Sequence, residues 1–310
     1  MLGLVITGVR AFYLISAAII IGVRFVPALR ERFLAYGARE KAPDGDSTNH
    51  DGDDARVAKD APITTEVLDF ISTIKVPHAW FAHFYIVSVV SSLTWIHLIY
   101  SHHDLFEALT GSIEPLTSST SVNVVDLCLL LMLLQGTRRL YECLTLSKPS
   151  LSQMWIGHYA IGLVFYILTN IAIWIDHAGS REVMSSPSLL RPISLFKLVV
   201  TLFIFGMATR AQHDYHVYLA NLPKYTLPDR WMFRYIVAPH YTAECAVYLS
   251  LAILSAPASH LLNRTMLCTF MFVLVNLGIT ADGTKTWMLG QFPQRKTDIQ
   301  RRWRMIPLLW

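Results

Sequence analysis

Seven apolar stretches punctuate the chain, each bounded by polar or charged residues: Leu4–Val23, Trp80–Tyr100, Val122–Leu134, Trp155–Ile175, Ile193–Ala208, Tyr241–Ala256 and Met266–Ala281. A helix crossing a bilayer needs about 20 apolar residues, fewer when its ends continue as amphipathic helix. The third and fifth stretches are short, and each carries an ionisable residue, Asp126 and Lys197 respectively. The pattern predicts seven membrane-spanning helices.

Composition agrees with this reading. The 310 residues are 53% hydrophobic and 15% charged, and the mean hydropathy is +0.41. A soluble domain carries about 25% charge. The expected fold class is all-α: a polytopic membrane protein of one embedded domain over residues 1–310, with seven transmembrane helices. The first stretch runs into Arg24 and Arg30 without a small-residue cleavage site, so it is expected to stay in the protein as a span.

Charge sets the orientation. Arg30, Arg32, Arg39, Lys41, Arg56, Lys59 and Lys75 follow the first span, and Arg138, Arg139 and Lys148 follow the third. Arg210, Lys224, Arg230 and Arg234 follow the fifth, and Lys285, Arg295, Lys296, Arg301, Arg302 and Arg304 the seventh. That puts 20 basic residues on one side and four, Arg10, Arg181, Arg191 and Arg264, on the other. By the positive-inside rule the C-terminus is cytosolic and the N-terminus lies across the membrane. The net charge of +4 follows from this topology, and no nucleic-acid partner is expected.

The rest of the chain excludes several classes. Residues 42–61 are polar and acidic with almost nothing to bury, and read as a disordered cytosolic insertion. No internal repeat suggests a transporter of duplicated halves. Neither a G-x-G-x-x-G after a strand nor a P-loop is present. The four cysteines, Cys128, Cys143, Cys245 and Cys268, have no metal-ligand spacing and read as small buried hydrophobes. Asn263-Arg-Thr265 matches a glycosylation sequon, but it abuts the seventh span and is expected to go unused.

The chemistry gathers at span ends. In Ala238-Pro-His-Tyr-Thr-Ala-Glu244 a histidine and a glutamate stand four residues apart, on one helical face. Gln212-His-Asp-Tyr-His216 and Arg138-Arg139-Leu-Tyr-Glu142 fall on the same side by the charge arithmetic. Arg139, His216, Lys224, His240, Glu244 and Arg302 therefore converge on one membrane face. Cations with carboxylate and amide acceptors suit a phosphate-bearing cofactor. Headgroup contact by juxtamembrane basic residues is the plainer account of Arg295–Arg304, though not of a His-x-x-x-Glu pair. In Val76-Pro-His-Ala-Trp-Phe-Ala-His-Phe-Tyr85, His83 and Tyr85 are either members of an interfacial aromatic belt or donors to a substrate oxygen. His158 and Tyr159 carry the same two readings, and His97, His102 and His103 lie toward the opposite face. His213 and His216 form one His-x-x-His pair with no second box beside it, so no metal is expected.

These motifs resemble the steroid 5-alpha-reductase superfamily, and within it the polyprenol (polyprenal) reductase branch. Val76-Pro…Phe81-x-His83-Phe84-Tyr85, Gln135-Gly-Thr-Arg-Arg-Leu-Tyr-Glu142, Gln212-x-x-x-His216 with Leu219-Ala-Asn-Leu222, Pro239-His240-Tyr241…Glu244 and the tail Arg302-Trp-Arg-Met-Ile-Pro307 carry the similarity, from about Val76 to Trp310. The resemblance implies an NADPH-dependent reductase of the endoplasmic reticulum membrane. It would saturate the α-isoprene double bond of a long-chain isoprenoid lipid in dolichol synthesis for protein N-glycosylation. It also implies that Arg139, His216, Lys224, His240, Tyr241, Glu244, Asn276, Lys285 and Arg302 bind the cofactor, and that Tyr85 or His83 is catalytic. Three departures stand out. Thr284-Lys285-Thr-Trp287-Met288 has Lys and Met where the family has His and Tyr, Pro223 replaces an Arg, and Gln294–Arg301 is an insertion.

Hydride adds to a carbon–carbon double bond only where the displaced electrons have a sink. An allylic alcohol offers none, whereas a conjugated aldehyde does. The directly reduced species is therefore expected to be the aldehyde, with Tyr85 or His83 stabilising the enolate. The competing readings are a steroid or trans-2-enoyl-CoA reductase of the same superfamily, a membrane lipid methyltransferase, and a transporter.

Overall fold

The computed structural model describes residues 2–34, 63–101, 124–148, 151–178, 192–257 and 260–310. The segment 42–61, His102, His103, Arg181 and Arg191 lie outside the described residues. The helices are α1 (Leu2–Phe25), α2 (Pro27–Phe33), α3 (Ile63–Thr73), α4 (Phe81–Ser101), α5 (Val124–Thr145), α6 (Ile156–Ala178), α7 (Pro192–Asn221), α8 (Pro239–Leu254), α9 (Arg264–Gln291) and α10 (Lys296–Arg301). Two three-residue strands, β1 (Lys75–Pro77) and β2 (Gln153–Trp155), pair antiparallel with Val76 opposite Met154.

Each of the seven apolar stretches falls on a helix. Five of these helices, α1, α4, α6, α7 and α9, are long and apolar enough to cross a membrane. The other two fall short for visible reasons. The 22-residue α5 carries Asp126, Arg138, Arg139 and Glu142, and α8 has only 16 residues. Outward-facing apolar side chains such as Ile15 and Ile19 on α1, Val90 on α4 and Phe203 on α7 are well exposed, as a lipid-facing surface requires.

The bundle is assembled in two leaves. One pairs α4 with α5 and α6. The other joins α7 to α8, α8 to α9, and α9 to α1 and α6. Close approach within the first leaf depends on small residues, as is usual where lipid supplies no hydrophobic drive between helices. A Cβ at Gly136 would stand 2.8 Å from the Ser88 Oγ, and one at Gly162 2.7 Å from the Phe84 ring. Where α4 crosses α6, the Ser92 hydroxyl donates to the Asn170 side chain at 2.7 Å.

Polar clamps fix the two ends. At the first, Arg10 donates to Asp176 (2.9 Å), which also accepts from Thr265. Asn263 caps α9 by accepting from the Met266 backbone N–H at 2.9 Å. Its amide donates to the carbonyls of Ala172 and Ser255 at 3.1 Å, and the residue is fully buried. The sequon asparagine is thus consumed by helix packing. At the other end Asp282 accepts from Arg24 and Arg304, tying α1, α9 and the C-terminal segment together. There α2 leaves α1 at Pro27 and α8 starts on Pro239, each a proline at the first turn where no N–H is missed.

Candidate active site

α4, α6 and α8 begin, and α5, α7 and α9 finish, at the end of the bundle marked by Asp282. The β1–β2 pair holds the starts of α4 and α6 side by side there. Polar side chains that are far apart in the chain consequently meet.

Glu142 is their centre. It lies on the last turns of α5, beyond that helix's apolar stretch, with its side chain 2% exposed. Arg138 and Arg139, four and three residues before it, both donate to its carboxylate. From α7, the Nδ1 atoms of His213 and His216 lie 2.8 and 2.7 Å from its two oxygens. The His-x-x-His spacing therefore presents two rings to one carboxylate. Burial opposes ionisation of Glu142, but the His216 hydrogen bond and the Arg139 and Arg138 charges hold it well below the usual carboxylate range.

Two arms leave this hub. In one, Gln135 donates to the Gln212 Oε1 at 3.1 Å, Arg138 also donates to Gln212, and Gln212 donates to Glu244 on α8. In the other, the Arg139 guanidinium donates to the Tyr85 hydroxyl from Nη2 at 2.8 Å and from Nε at 3.2 Å. The lone pairs of that hydroxyl are thereby engaged, and its proton is left for another acceptor.

Both arms reach a cavity of about 740 Å³. Tyr85, Arg139, His216, Tyr241, Glu244 and Asn276 line it, with Gln212 beside them. The remaining wall is apolar and aromatic, including Phe84, Phe165, Tyr166, Tyr248 and Phe272. Ile19, Ile20 and Val23 of α1 close one side, and Arg24, Arg30, Glu31, His158 and Asp282 are further polar residues on the lining. The cavity thus combines a polar group of carboxylate, amide, guanidinium and hydroxyl with a greasy chamber. The polar group suits a ligand bearing hydroxyls, a carboxamide and phosphates, and the chamber suits a hydrocarbon chain.

The other sequence candidates stand elsewhere. His83 does not line the cavity, and its Nδ1 is 3.0 Å from the Tyr159 hydroxyl. His240 is half-buried, its ring centroid 5.6 Å from that of His216, and its buried Nδ1 has no hydrogen-bond partner among the described residues. Lys224 is exposed on the loop after α7. Lys285 donates to the backbone carbonyls of Gln300 (2.9 Å) and Arg302, and so braces the C-terminal segment. Arg302 is buried outside the cavity and donates to the Pro228 carbonyl at 2.6 Å.

Sequence reasoning did not assign a role to Gln212 or Glu142, although both stand in the motifs it singled out. It missed the aromatic wall of Tyr166, Tyr248 and Phe272 altogether. Inside a uniformly apolar helix nothing marks which aromatic faces a void.

Comparison with known proteins returns a consistent set. Residues 152–310 match the family described as 3-oxo-5-alpha-steroid 4-dehydrogenase. A polyprenal reductase of Caenorhabditis elegans is 29% identical over 248 residues, covering 72% of this chain and 77% of that one. A polyprenal reductase of Saccharomyces cerevisiae is 27% identical, covering 74% of each chain. One of Ailuropoda melanoleuca is 27% identical over 71% of this chain and 73% of its own.

Proposed function

The chain belongs to the 3-oxo-5-alpha-steroid 4-dehydrogenase family, and from that premise we propose that it is a membrane-embedded polyprenal reductase. It saturates the α-isoprene double bond of a polyprenyl aldehyde, the β-carbon taking hydride from NADPH and the α-carbon of the resulting enolate taking a proton. The relatives named polyprenal reductase support the substrate. The observation that carries the chemistry is the Tyr85 hydroxyl, held by two Arg139 N–H groups on the wall of an apolar cavity.

NADPH supplies the hydride when bound. Glu244, Gln212, Asn276, Tyr241 and His216 are the groups proposed to hold it, since their donors and acceptors match ribose hydroxyls and a carboxamide. Besides Arg139, the cations on the lining are Arg30 and Arg24, the latter paired with Asp282, and these two are proposed to meet its phosphates. The aldehyde oxygen sits at Tyr85. As electrons move from the double bond toward that oxygen, the hydroxyl proton of Tyr85 hydrogen-bonds the developing negative charge. Arg139 fixes that hydroxyl and adds a positive field behind it. His83 is turned to Tyr159 and takes no part in this arrangement. The isoprenoid tail lies against Phe165, Phe272 and the α1 side chains.

The same reading includes the finer topology: seven spans in the endoplasmic reticulum membrane, with the site and the C-terminus on the cytosolic face. The 20-to-four distribution of basic residues supports that orientation.

The test uses purified protein with NADPH. Polyprenal should be reduced directly, and polyprenol should be inert until an alcohol oxidase is added. Tyr85→Phe should lower kcat by about 10²–10³, the loss of one oxyanion donor, with NADPH affinity unchanged. Direct reduction of the alcohol at the rate of the aldehyde would refute conjugate addition and remove the role of Tyr85.

A further inference from the structure

A second cavity of about 470 Å³ shares no lining residue with the first. Four arginines line it: Arg234, from the turn before α8, and Arg295, Arg301 and Arg302, from the C-terminal segment. Asp229 and Asp298 are the acids on its wall, leaving a net charge of about +2. Arg295 is spent on Asp298 at 2.7 Å, and Arg234 donates from Nε to the Asp229 carbonyl at 2.8 Å. Among the described residues Arg301 forms no ion pair.

Arg302 is the unusual member. It is 4% exposed, and its Nε is buried without a hydrogen-bond partner among the described residues, while Nη1 is held by the Pro228 carbonyl. A buried guanidinium N–H left unmade is costly and calls for an acceptor. The position is built, not incidental. Residues 236 and 303 form a parallel bridge, with the Val237 N–H donating to the Trp303 carbonyl at 2.8 Å and the Trp303 N–H to the Tyr235 carbonyl at 2.7 Å. Lys285 holds the Arg302 carbonyl from below, and Leu227, Val237, Met288 and Ile299 form a small core under the segment. Burial and the nearby Arg295 charge depress the Arg302 guanidinium, while Asp229 and Asp298 on the same wall oppose that shift.

The surroundings indicate where the anion comes from. Tyr235 and Trp303 line the cavity and are 62% and 38% exposed, and Trp231 nearby is 57% exposed. Leu308 and Leu309 at the C-terminus are more than 80% exposed. Exposed Tyr and Trp beside a basic pocket are the furniture of the membrane–water interface, where headgroup phosphates lie.

We propose that the Arg234–Arg301–Arg302 cavity binds the phosphate of an anionic membrane-lipid headgroup, at a site separate from the hydride-transfer cavity. This holds whether or not the reductase reading is correct, because it needs only a membrane-embedded chain.

The full-length protein is reconstituted in nanodiscs of phosphatidylcholine alone or with phosphatidate, and retained lipid is counted by native mass spectrometry. Phosphatidate should be retained over phosphatidylcholine. The double variant Arg234→Gln/Arg301→Gln, both surface positions, should weaken that retention by about tenfold or more with its thermal midpoint unchanged. Arg302→Lys should weaken it too, since a point charge cannot reproduce the guanidinium fork. Equal retention in wild type and variants overturns the site. Release of the lipid by millimolar inorganic phosphate overturns the lipid as its source and assigns the pocket to a soluble phosphate. A parallel tenfold loss of NADPH affinity in the double variant would make the pocket part of the cofactor site and overturn its independence.

Discussion

Glu142→Gln is the sharpest single test of how the site is held together. The wild-type carboxylate receives two arginines and two histidines, with side-chain exposures of 14% for Arg138, 15% for Arg139 and 16% for His216. The amide keeps one acceptor oxygen and turns an N–H₂ toward cations. Both guanidiniums then lose their counter-charge while remaining largely buried. Removing one partner of a buried pair costs about 3–5 kcal/mol. Here the lower end applies, about 3 kcal/mol, because Arg138 retains Gln135 and Gln212, and Arg139 retains Tyr85 and the adjoining cavity. With an unfolding entropy of about 2.1 cal/mol/K per residue, 3 kcal/mol corresponds to a midpoint lowered by about 5 °C for a chain of 310 residues. The assay is thermal unfolding in detergent, with turnover measured alongside. Turnover should fall by more than the stability loss explains, because Arg139 no longer has the brace that aims it at the Tyr85 hydroxyl. A cycle with Arg139→Gln should show the double variant losing less than the sum of the singles, by 1 kcal/mol or more. If Glu142→Gln melts within a degree of wild type and turns over normally, Glu142 is not the hub and the geometry of Arg139 has another cause.

Two further outcomes follow from the same network and from the packing. Glu244→Ala should weaken NADPH binding by about 1.5–3 kcal/mol, the loss of a charged hydrogen-bond partner, while the fold persists; unaltered affinity in equilibrium titration would remove Glu244 from the cofactor site. Gly136→Ala should destabilise by about 1–3 kcal/mol, because its Cβ meets the Ser88 Oγ at 2.8 Å between α4 and α5; a variant as stable as wild type would show that the two helices have room to separate.

The chain announces its helices more clearly than its site. Apolar runs locate seven helices, five of them long and apolar enough to cross a membrane, and even α5 and α8 are visible despite their charge or shortness. The ends of the helices are legible as well. Charged residues concentrate there, and for that reason Arg139, His216, Tyr241 and Glu244 could be gathered on one face from charge counting and motif spacing. Proximity to a face is not proximity to a cavity, however. Lys224, Lys285 and Arg302 share the end of the bundle with Arg139, yet the first is exposed on a loop and the other two are committed to the C-terminal segment. His83 and Tyr85 are two residues apart near the start of α4 and looked equivalent in the sequence. A helix places such neighbours about 200° apart, so one faces Tyr159 and the other Arg139. The distinction that matters for catalysis is therefore rotational. It is decided by which helix packs against which, and in α4 that is settled by Gly136 and Gly162, whose missing side chains let α5 and α6 close on either side of it. A glycine in an apolar run carries no chemical signal of its own, and so the residues that aim Tyr85 into the cavity are the ones a reading of side-chain chemistry passes over.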